Sequence, residues 1–266
     1  MSENRFYDRY GPAALIFGGS EGIGRSFAEA LARAGLDLVL VARTASRLEA
    51  AAAEIRAAHG VKVDVEPLDL HGTDAADRIA ALGASREFGL IVYNAGATQG
   101  IGRFAEQPAS YALDLVRLNC IGPVAAAHAC LPAMIARGRG GLILVSSVSA
   151  LAGAGYIATY AATKSFEIIL AEGLHWELDG TGVDVLCAVA GLTDTPAMVR
   201  SGMMANAAAG AAMSADAVVE GALAALGEQP VWYASGDPAI AAMRAMPRAE
   251  LSEMMTRTTM SLGGLD

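Results

Sequence analysis

Short apolar runs alternate with longer alanine-rich segments along the whole of this chain. Seven of the runs are rich in β-branched residues and mostly continuously apolar, which is typical of strands covered on both faces. They occupy residues 13–17, 38–42, 61–67, 90–93, 142–146, 183–188 and 231–234. The segments between them carry apolar residues at helical spacing. This alternation predicts an α/β fold, with a parallel sheet of seven strands and helices on both of its faces.

The pattern shows no boundary that would divide the chain. It contains no long linker rich in Pro, Gly or Ser and no internal repeat, so we predict one domain over residues 1–266. The polar start, residues 1–11, lacks the apolar core of a secretory signal. No uninterrupted apolar run reaches about 18 residues, so we expect no membrane span.

Two regions follow the strand-helix rhythm less closely. Residues 196–214 contain four of the eleven methionines, Met198, Met203, Met204 and Met213. Methionines fill irregular cores, but this segment could also form a mobile lid over an apolar substrate, and both interpretations stay open. In the tail, residues 238–266, we predict one helix around Glu250–Met260 followed by a loose Gly-Gly end.

Composition and charge exclude several classes of function. The chain is 54% hydrophobic and only 18% charged, which argues against disorder. A net charge of −9 repels nucleic-acid backbones. The three cysteines form no CxxC pair, which favours reduced thiols and a cytoplasmic protein. The four histidines have no metal-ligand spacing.

A glycine cluster, GGSEGIG at residues 18–24, follows the first strand and opens a helix. A dinucleotide pyrophosphate must approach backbone N–H groups at a helix N-terminus, so side chains there must be small. Gly18 would permit the turn, Gly22 the close approach, and Gly24 the packing of helix on strand. The context predicts a nucleotide site, although such clusters also mark plain turns.

The end of the second strand indicates which nucleotide binds. A free ribose 2′-hydroxyl is usually held there by Asp or Glu. This chain has Ala42, Arg43 and Thr44 instead, with Arg47 one helical turn later. Because a guanidinium binds phosphate through two hydrogen bonds, we predict NADPH rather than NADH, the alternative being that Arg43 is a solvated loop residue.

Only two of the nineteen basic residues are lysine, and one of them, Lys164, follows Tyr160 by four residues. On a helix these side chains share a face. An ammonium favours the phenolate form of a nearby phenol, which suits Tyr160 to acid-base chemistry on a carbonyl or alcohol. A compact ammonium can also bind ribose hydroxyls where a planar guanidinium fits poorly.

Two further polar residues accompany this pair. Ser147 stands at the end of the fifth strand, thirteen residues before Tyr160, where α/β sheets place their ligands. Its hydroxyl could polarise a carbonyl oxygen. Asn119 lies in a helical stretch, residues 113–123, that we predict to break near Gly122-Pro123. Its amide could hold a water against Lys164.

Taken in order, the glycine loop, Asn94-Ala95-Gly96, Asn119, Ser147, Tyr160 and Lys164 resemble the short-chain dehydrogenase/reductase family over roughly residues 12–235. The resemblance implies a three-layer Rossmann fold, NADP(H), a homodimer or homotetramer, and catalysis by Asn119, Ser147, Tyr160 and Lys164. Tyr160 would donate the proton and Lys164 would also bind the nicotinamide ribose. The implied cofactor contacts are Gly18, Ser20, Glu21, Gly22, Ile23, Gly24, Arg43, Asp69, Leu70, Asn94, Ala95, Gly96, Tyr160, Lys164, Gly191, Leu192, Thr193 and Thr195.

Three positions depart from the family pattern. Phe17 stands where Thr is common, Tyr93 where the first Asn of Asn-Asn-Ala-Gly is usual, and Ala190 where Pro usually precedes Gly191. Because the strands that carry Phe17 and Tyr93 should be neighbours, we predict that their rings are in contact. Ala190 weakens the transfer of the family's nicotinamide contacts to residues 191–195.

These observations predict an NADPH-dependent enzyme that interconverts a ketone and a secondary alcohol. The methionine-rich segment indicates an apolar substrate such as a steroid or a 3-ketoacyl chain. Two alternatives stay open: an isomerase, epimerase or dehydratase of the same fold, and a nucleotide sensor without turnover. Alanine-rich helices near 105–130 and 157–178 could serve either oligomerisation or internal packing.

Overall fold

The computed structural model describes residues 3–96, 100–207 and 212–265. Its strands are β1 Ala13–Phe17, β2 Asp37–Ala42, β3 Val63–Pro67, β4 Leu90–Tyr93, β5 Gly140–Ser147, β6 Val183–Ala190, β7 Thr193–Asp194, β8 Met213–Ser214 and β9 Val231–Tyr233. Its α-helices are α1 Glu3–Tyr10, α2 Gly22–Arg33, α3 Ala45–His59, α4 Ala75–Gly83, α5 Ala109–Val116, α6 Gly122–Arg137, α7 Ala158–Glu177, α8 Pro196–Arg200, α9 Ala215–Ala225, α10 Asp237–Ala245 and α11 Arg248–Gly263.

Seven parallel strands form the main sheet in the order β3-β2-β1-β4-β5-β6-β9. The predicted strands are therefore confirmed, with ends that differ by no more than two residues. Strands β7 and β8 form a separate parallel pair beside the carboxyl end of β6.

The sheet lies between two apolar layers. Alternate residues of β1 point to opposite faces, so Ile16 packs with Phe27 and Leu31 of α2, whereas Leu15 packs into the cluster that contains Ile168 of α7. Helices α2, α3 and α9 cover one face, and α4, α6 and α7 cover the other. All five residues of β1 are buried, which explains why its sequence is continuously apolar.

Phe17 and Tyr93 are register partners at the carboxyl ends of β1 and β4, and their ring centroids are 5.0 Å apart. The predicted aromatic contact is confirmed. The Tyr93 hydroxyl is also satisfied, because it donates a 2.8 Å hydrogen bond to the carbonyl of Leu118. An aromatic pair thus replaces the family's polar residues at this end of the sheet.

The predicted helix break at Gly122-Pro123 is wrong. Residues Ala109–Arg137 form one continuous helix that contains a π-helical turn, Arg117–Ile121. Pro123 needs no N–H in the first turn of α6, and the widened turn before it lets the Gly122 N–H reach the carbonyl of Arg117. By length and composition alone this helix could cross a membrane, but it is half buried in the fold.

The tail holds two helices, α10 and α11, rather than the one that we predicted. Pro247 separates them, because a residue that precedes proline is driven out of the helical region, and Met246 is extended (φ −69°, ψ 143°). Helix α11 packs through Leu251 and Met255 on residues 152–157. Hydrogen bonds from Gly155 N to Thr256 Oγ1 (2.9 Å) and from Ser252 Oγ to Gly153 O (2.7 Å) fix this contact.

Helix α1 was not predicted, because its sequence is mostly polar. Its last turn is tied to the start of β6. The Tyr10 hydroxyl donates to Asp184 at 2.7 Å, and the Arg9 guanidinium bonds both oxygens of the same carboxylate at 2.5 and 2.6 Å. The Tyr10 ring is buried under the sheet.

The methionine-rich segment, residues 196–214, contains α8, a 3₁₀ turn at Met203–Asn206 and strand β8. Met203 is buried, and Asn206 Nδ2 donates to the Leu262 carbonyl at 3.0 Å. The segment therefore contacts the C-terminal helix. Part of it, residues 208–211, lies outside the described residues.

Candidate active site

A groove of about 320 Å³ runs along the carboxyl ends of β1, β2 and β4. Most of the predicted cofactor residues line it. They are Gly18, Ser20, Glu21, Gly22, Ile23, Arg43, Leu70, Asn94, Ala95, Gly96 and Thr195. The groove lies where parallel strands end and helices begin, which is the position that nucleotides occupy in open α/β sheets.

The glycine loop leaves its backbone open to this groove. Gly18 has φ +80° and Gly22 has φ +56°, conformations that residues with a Cβ rarely adopt. A Cβ on Gly24 would lie only 2.1 Å from the Gly18 carbonyl oxygen, so Gly24 allows α2 to pack on the loop. Glu21 at the N-cap of α2 forms no side-chain cap, which leaves the first N–H groups of the helix available to an anion.

Three guanidinium groups line the far end of the groove, those of Arg43, Arg47 and Arg200. The sole carboxylate among the groove's described lining residues, Glu21, pairs with two of them: Arg200 Nη1 lies 2.9 Å from Glu21 Oε2, and Arg47 Nη1 lies 3.6 Å from it. Hydrogen bonding from Arg200 lowers the pKa of Glu21 below its usual value. This end of the groove therefore has an excess of positive charge.

Seven predicted cofactor residues are not among those that line this groove: Gly24, Asp69, Tyr160, Lys164, Gly191, Leu192 and Thr193. The Asp69 carboxylate instead accepts the backbone N–H of His71 at 3.2 Å, and the His71 side chain takes the place on the groove wall. The Thr193 hydroxyl donates to the Gly191 carbonyl at 3.1 Å. The family pattern could not reveal these local turns, because they depend on the neighbouring side chains of this chain.

Lys164 is the most buried cation of the site, with 3% of its surface exposed. Helix α7 directs its amine at the carboxyl end of β5, where Nζ donates to the Val145 carbonyl at 2.9 Å. Nζ also lies 2.9 Å from each oxygen of Glu167. The Tyr160 ring centroid is 6.0 Å from Nζ, so the structure brings the predicted pair together on one face of α7.

Asn119 sits on the π-helical turn and is completely buried. Its Nδ2 donates to Thr163 Oγ1 at 3.0 Å, and that hydroxyl donates to the Tyr160 carbonyl at 2.9 Å. Its Oδ1 has no hydrogen-bond partner in the described part of the chain. A buried polar atom without a partner is costly, and a water molecule is the usual remedy.

Gly96, three residues after the end of β4, lies against both the Lys164 amine and Asn119 Oδ1. A Cβ at this position would lie 2.7 Å from Lys164 Nζ and 3.2 Å from Asn119 Oδ1. The amine and the unpaired oxygen therefore border the same small space, and only a glycine leaves it open.

Ser147 ends β5, two residues after Val145. Its Oγ accepts the backbone N–H of Ser149 at 3.2 Å and so caps the short 3₁₀ helix Val148–Leu151. The neighbouring Ser146 Oγ donates to the Lys164 carbonyl at 2.7 Å and binds β5 to α7. Ser146 thus holds the strand end against the helix that carries Tyr160 and Lys164, whereas Ser147 fixes the turn that follows the strand.

A family model described as short chain dehydrogenase matches residues 12–205, more than half of the chain. The chain belongs to this family. It is 30% identical over 229 residues to a 7beta-hydroxysteroid dehydrogenase of Clostridium sardiniense, covering 86% of this chain and 87% of the relative.

Two solved structures of short-chain dehydrogenases support the assignment. One, from work on 7beta-hydroxysteroid dehydrogenase stereoselectivity, superposes with a TM-score of 0.86 at 26% identity and covers 94% of this chain and 98% of the other. The second, from Sphingobium yanoikuyae in complex with NADPH, gives 0.76 at 33% identity and covers 84% and 86%. The chain is thus an oxidoreductase of a family that uses a nicotinamide cofactor.

The groove of this short-chain dehydrogenase fits such a cofactor. Gly18 and Gly22 line it with backbone in positive φ, the N-terminus of α2 faces it, and Gly96 on its wall borders Asn119 Oδ1, a buried oxygen without a partner among the described residues. Membership in the family also accounts for the positions of Ser147, Tyr160 and Lys164 around the end of β5.

One residue of the site was missed by sequence reasoning, the fully buried Glu167. Burial raises its pKa to about 7. Burial alone would lower the pKa of the Lys164 amine, but the charge and hydrogen bonds of Glu167, together with the charges of Tyr160 and Cys187, more than offset burial and raise it. The raised pKa of Glu167 favours a neutral carboxyl group, whereas the raised pKa of Lys164 favours an ion pair. We describe the two groups as an ion pair, because three oxygens surround the amine at 2.9 Å. The sequence signal was a carboxylate three residues after Lys164 on a face of α7 that also carries the buried Ala161, Ile168 and Ala171.

Proposed function

We propose that this short-chain dehydrogenase is an NADPH-dependent reductase of an apolar ketone, acting reversibly on the corresponding secondary alcohol. The observation that carries the proposal is the buried Lys164 amine beside Tyr160, which borders Gly96 on the wall of a groove that Arg43 and Arg47 also line. A cation beside a phenol serves carbonyl reduction, and guanidinium groups serve a 2′-phosphate.

Each residue has a distinct role in this mechanism. The reduced nicotinamide supplies the hydride for the carbonyl carbon. Tyr160 donates its phenolic proton to the carbonyl oxygen, and the Ser147 hydroxyl donates a hydrogen bond to the same oxygen. Lys164 stabilises the phenolate that remains. Asn119 accepts a hydrogen bond from a water that returns the proton to Tyr160.

The preference for NADPH over NADH tests the proposed role of Arg43. Arg43→Ala is expected to weaken NADPH binding by about tenfold to a hundredfold, because a charge-assisted phosphate contact contributes about 1.5–3 kcal/mol. NADH binding should stay unchanged, because it lacks the 2′-phosphate. Fluorescence titration of both cofactors against wild type and variant measures the preference. Equal affinity of the wild type for NADH and NADPH would contradict the proposal.

The substrate is proposed to be a steroid-sized ketone. Similarity to 7beta-hydroxysteroid dehydrogenase supports this size. The apolar packing of Tyr160 with Leu251, Met254 and Met255 of α11 supports an apolar surrounding for the reacting carbonyl. A panel of 7-oxosteroids, 3-ketoacyl thioesters and sugars, followed through NADPH absorbance, tests it.

Catalysis by Tyr160 is tested in the same assay. Tyr160→Phe keeps the ring and removes the proton donor, so kcat should fall by about a thousandfold or more. NADPH affinity should change little. Full turnover by this variant, or no turnover of any ketone by the wild type, would contradict the reductase mechanism and favour another reaction or a sensor.

The state of the cysteines is relevant to the cellular compartment of the protein. Cys120, Cys130 and Cys187 are all free thiols. Burial raises the pKa of Cys130 to about 11, which keeps that thiol protonated and unreactive. We propose a cytoplasmic, reducing environment on this basis, which a redox-sensitive thiol-labelling experiment in cells can test.

A further inference from the structure

Glu167 is a buried carboxylate for which the reductase mechanism gives no role. It lies one helical turn beyond Lys164 on α7 and has no exposed surface. A carboxylate is almost never fully buried unless it is paired. Its partner is the lysine of the active site, which both of its oxygens contact at 2.9 Å.

The amine has three protons and meets three oxygens, those of Val145 and Glu167. A buried lysine without a counter-charge tends to lose its proton, because burial penalises the ammonium. Here one anion is fixed against it by the same helix.

We propose that Glu167 is a positioning residue that keeps the Lys164 amine protonated and directed at the end of β5, so that the charge needed beside Tyr160 is already in place. The inference rests on the proposed function for its consequence in catalysis. The protonation state of Lys164, which the proposal directly concerns, can be measured whether or not the protein catalyses any reaction.

Other titratable groups that surround the pair cannot supply this charge. Tyr160 faces the amine from the same helix, and Cys187 faces it from β6. Cys120 on the π-helical turn and Tyr93 on β4 face Glu167. Burial raises the pKa of Cys120 to about 11 and that of Cys187 well above its ordinary value, so both thiols are neutral near pH 7. Glu167 is therefore the one anion beside Lys164 among the described residues.

The chain allows a direct measurement, because it contains only two lysines, Lys62 and Lys164. Protein labelled with ¹³C at the lysine ε-carbon gives two resonances, and Lys62→Arg assigns them. In wild type, the Lys164 resonance should titrate above the ordinary value of 10.5. A midpoint below that value in wild type would overturn the proposal without any variant.

Glu167→Gln keeps the shape and the hydrogen bonding of the side chain and removes its charge. The Lys164 midpoint should then fall by about two pH units or more. Glu167→Asp restores the charge and should bring the midpoint back toward wild type. A midpoint in Glu167→Gln within half a unit of wild type would overturn the proposal.

Catalysis gives a second readout. At pH 9.5, about one unit above a Lys164 midpoint that has fallen by two units from 10.5, Glu167→Gln should lower kcat for NADPH and a 7-oxosteroid by about tenfold relative to wild type, with little change in KM. At pH 6 the rate should recover, because the amine is protonated again, whereas a purely structural defect would persist at both values. A kcat loss that pH 6 does not recover would overturn the catalytic consequence.

The two proposals fail in different ways. If Lys164 titrates as expected but no ketone is reduced, the proposed function fails and the role of Glu167 stands. If ketones are reduced but Lys164 in Glu167→Gln titrates like wild type, the reductase stands and the role of Glu167 is lost.

Discussion

At the scale of single residues, the active site depends on the absence of a side chain at Gly96. The absent side chain leaves the space between Lys164 Nζ and Asn119 Oδ1 open. This glycine is needed for room and not for backbone freedom, because it is not among the residues with positive φ.

Gly96→Ala should therefore reduce kcat by about a hundredfold, because the new methyl would sit 2.7 Å from the amine and displace it. Gly173→Ala is the matched control on α7, since beyond its own helical backbone no atom of the described residues lies within 4 Å of its Cβ position. That control should keep its rate and gain about 0.5–1 kcal/mol of stability from helix propensity. Steady-state kinetics and thermal melts measure both. Normal turnover by Gly96→Ala would show that the amine can move without loss.

Sequence alone could pair Tyr160 with Lys164, because residues four apart share a helix face whatever surrounds them. It could not find Glu167, because a glutamate three residues after a lysine is more often a solvated surface pair. Only the packing of α7 against β5 and β6 makes this carboxylate a buried partner. Asp69 is the opposite case. The sequence predicted that it contacts the cofactor, but its carboxylate accepts the His71 N–H and it is not among the residues that line the groove.

At the scale of elements, continuous apolar runs located the central strands of the main sheet, because these strands are buried on both faces, whereas the edge strand β3 alternates apolar and polar residues. Helices with few buried positions were harder to predict. Helix α1 is mostly polar, and of α10 only Ile240 is buried. The π-helical turn could not be predicted, since it depends on the Tyr93 hydroxyl that holds the Leu118 carbonyl.

An ion pair between Arg200 of helix α8 and Glu21 of the glycine loop links two walls of the groove. Arg200→Ala should weaken NADPH binding by about threefold to fivefold, because the freed Glu21 carboxylate would then repel the cofactor phosphates. The double variant with Glu21→Gln should recover the affinity. Arg257→Ala removes an exposed pair with Glu253 and serves as the control. Fluorescence titration measures all four proteins, and unchanged binding in Arg200→Ala would contradict the charge argument.

At the scale of the whole molecule, Asp184 joins the first helix to the start of β6. Burial and the hydrogen bond to Asp184 raise the pKa of Tyr10. Asp184→Asn should lower the free energy of unfolding by about 1–3 kcal/mol, since it weakens a charge-assisted bond to a buried phenol. Chemical denaturation tests this, with Asp64→Asn as the control, because Asp64 pairs only with an exposed arginine. Equal losses in the two variants would contradict a special role for Asp184.

Exposed apolar side chains lie on the neighbouring helices α5 and α7, among them Leu113, Ile169 and Trp176, with 54%, 67% and 71% exposure. We propose that a second copy of the chain covers this face, giving a homodimer. Ile169→Glu should convert it to a monomer of 27.2 kDa, measured by light scattering. Val199→Glu, on α8 and 60% exposed, should remain dimeric. A wild type that is monomeric at micromolar concentration would contradict the proposal.

The contact between Phe17 and Tyr93 constrains how this lineage can vary. Shrinking one ring alone would leave a void at the ends of two central strands, and losing the Tyr93 hydroxyl would free a carbonyl in the turn that carries Asn119. Exchange toward Thr and Asn therefore requires coordinated substitutions. Close homologues should inherit both aromatics or neither, and a chain with only one of them should be rare among natural sequences.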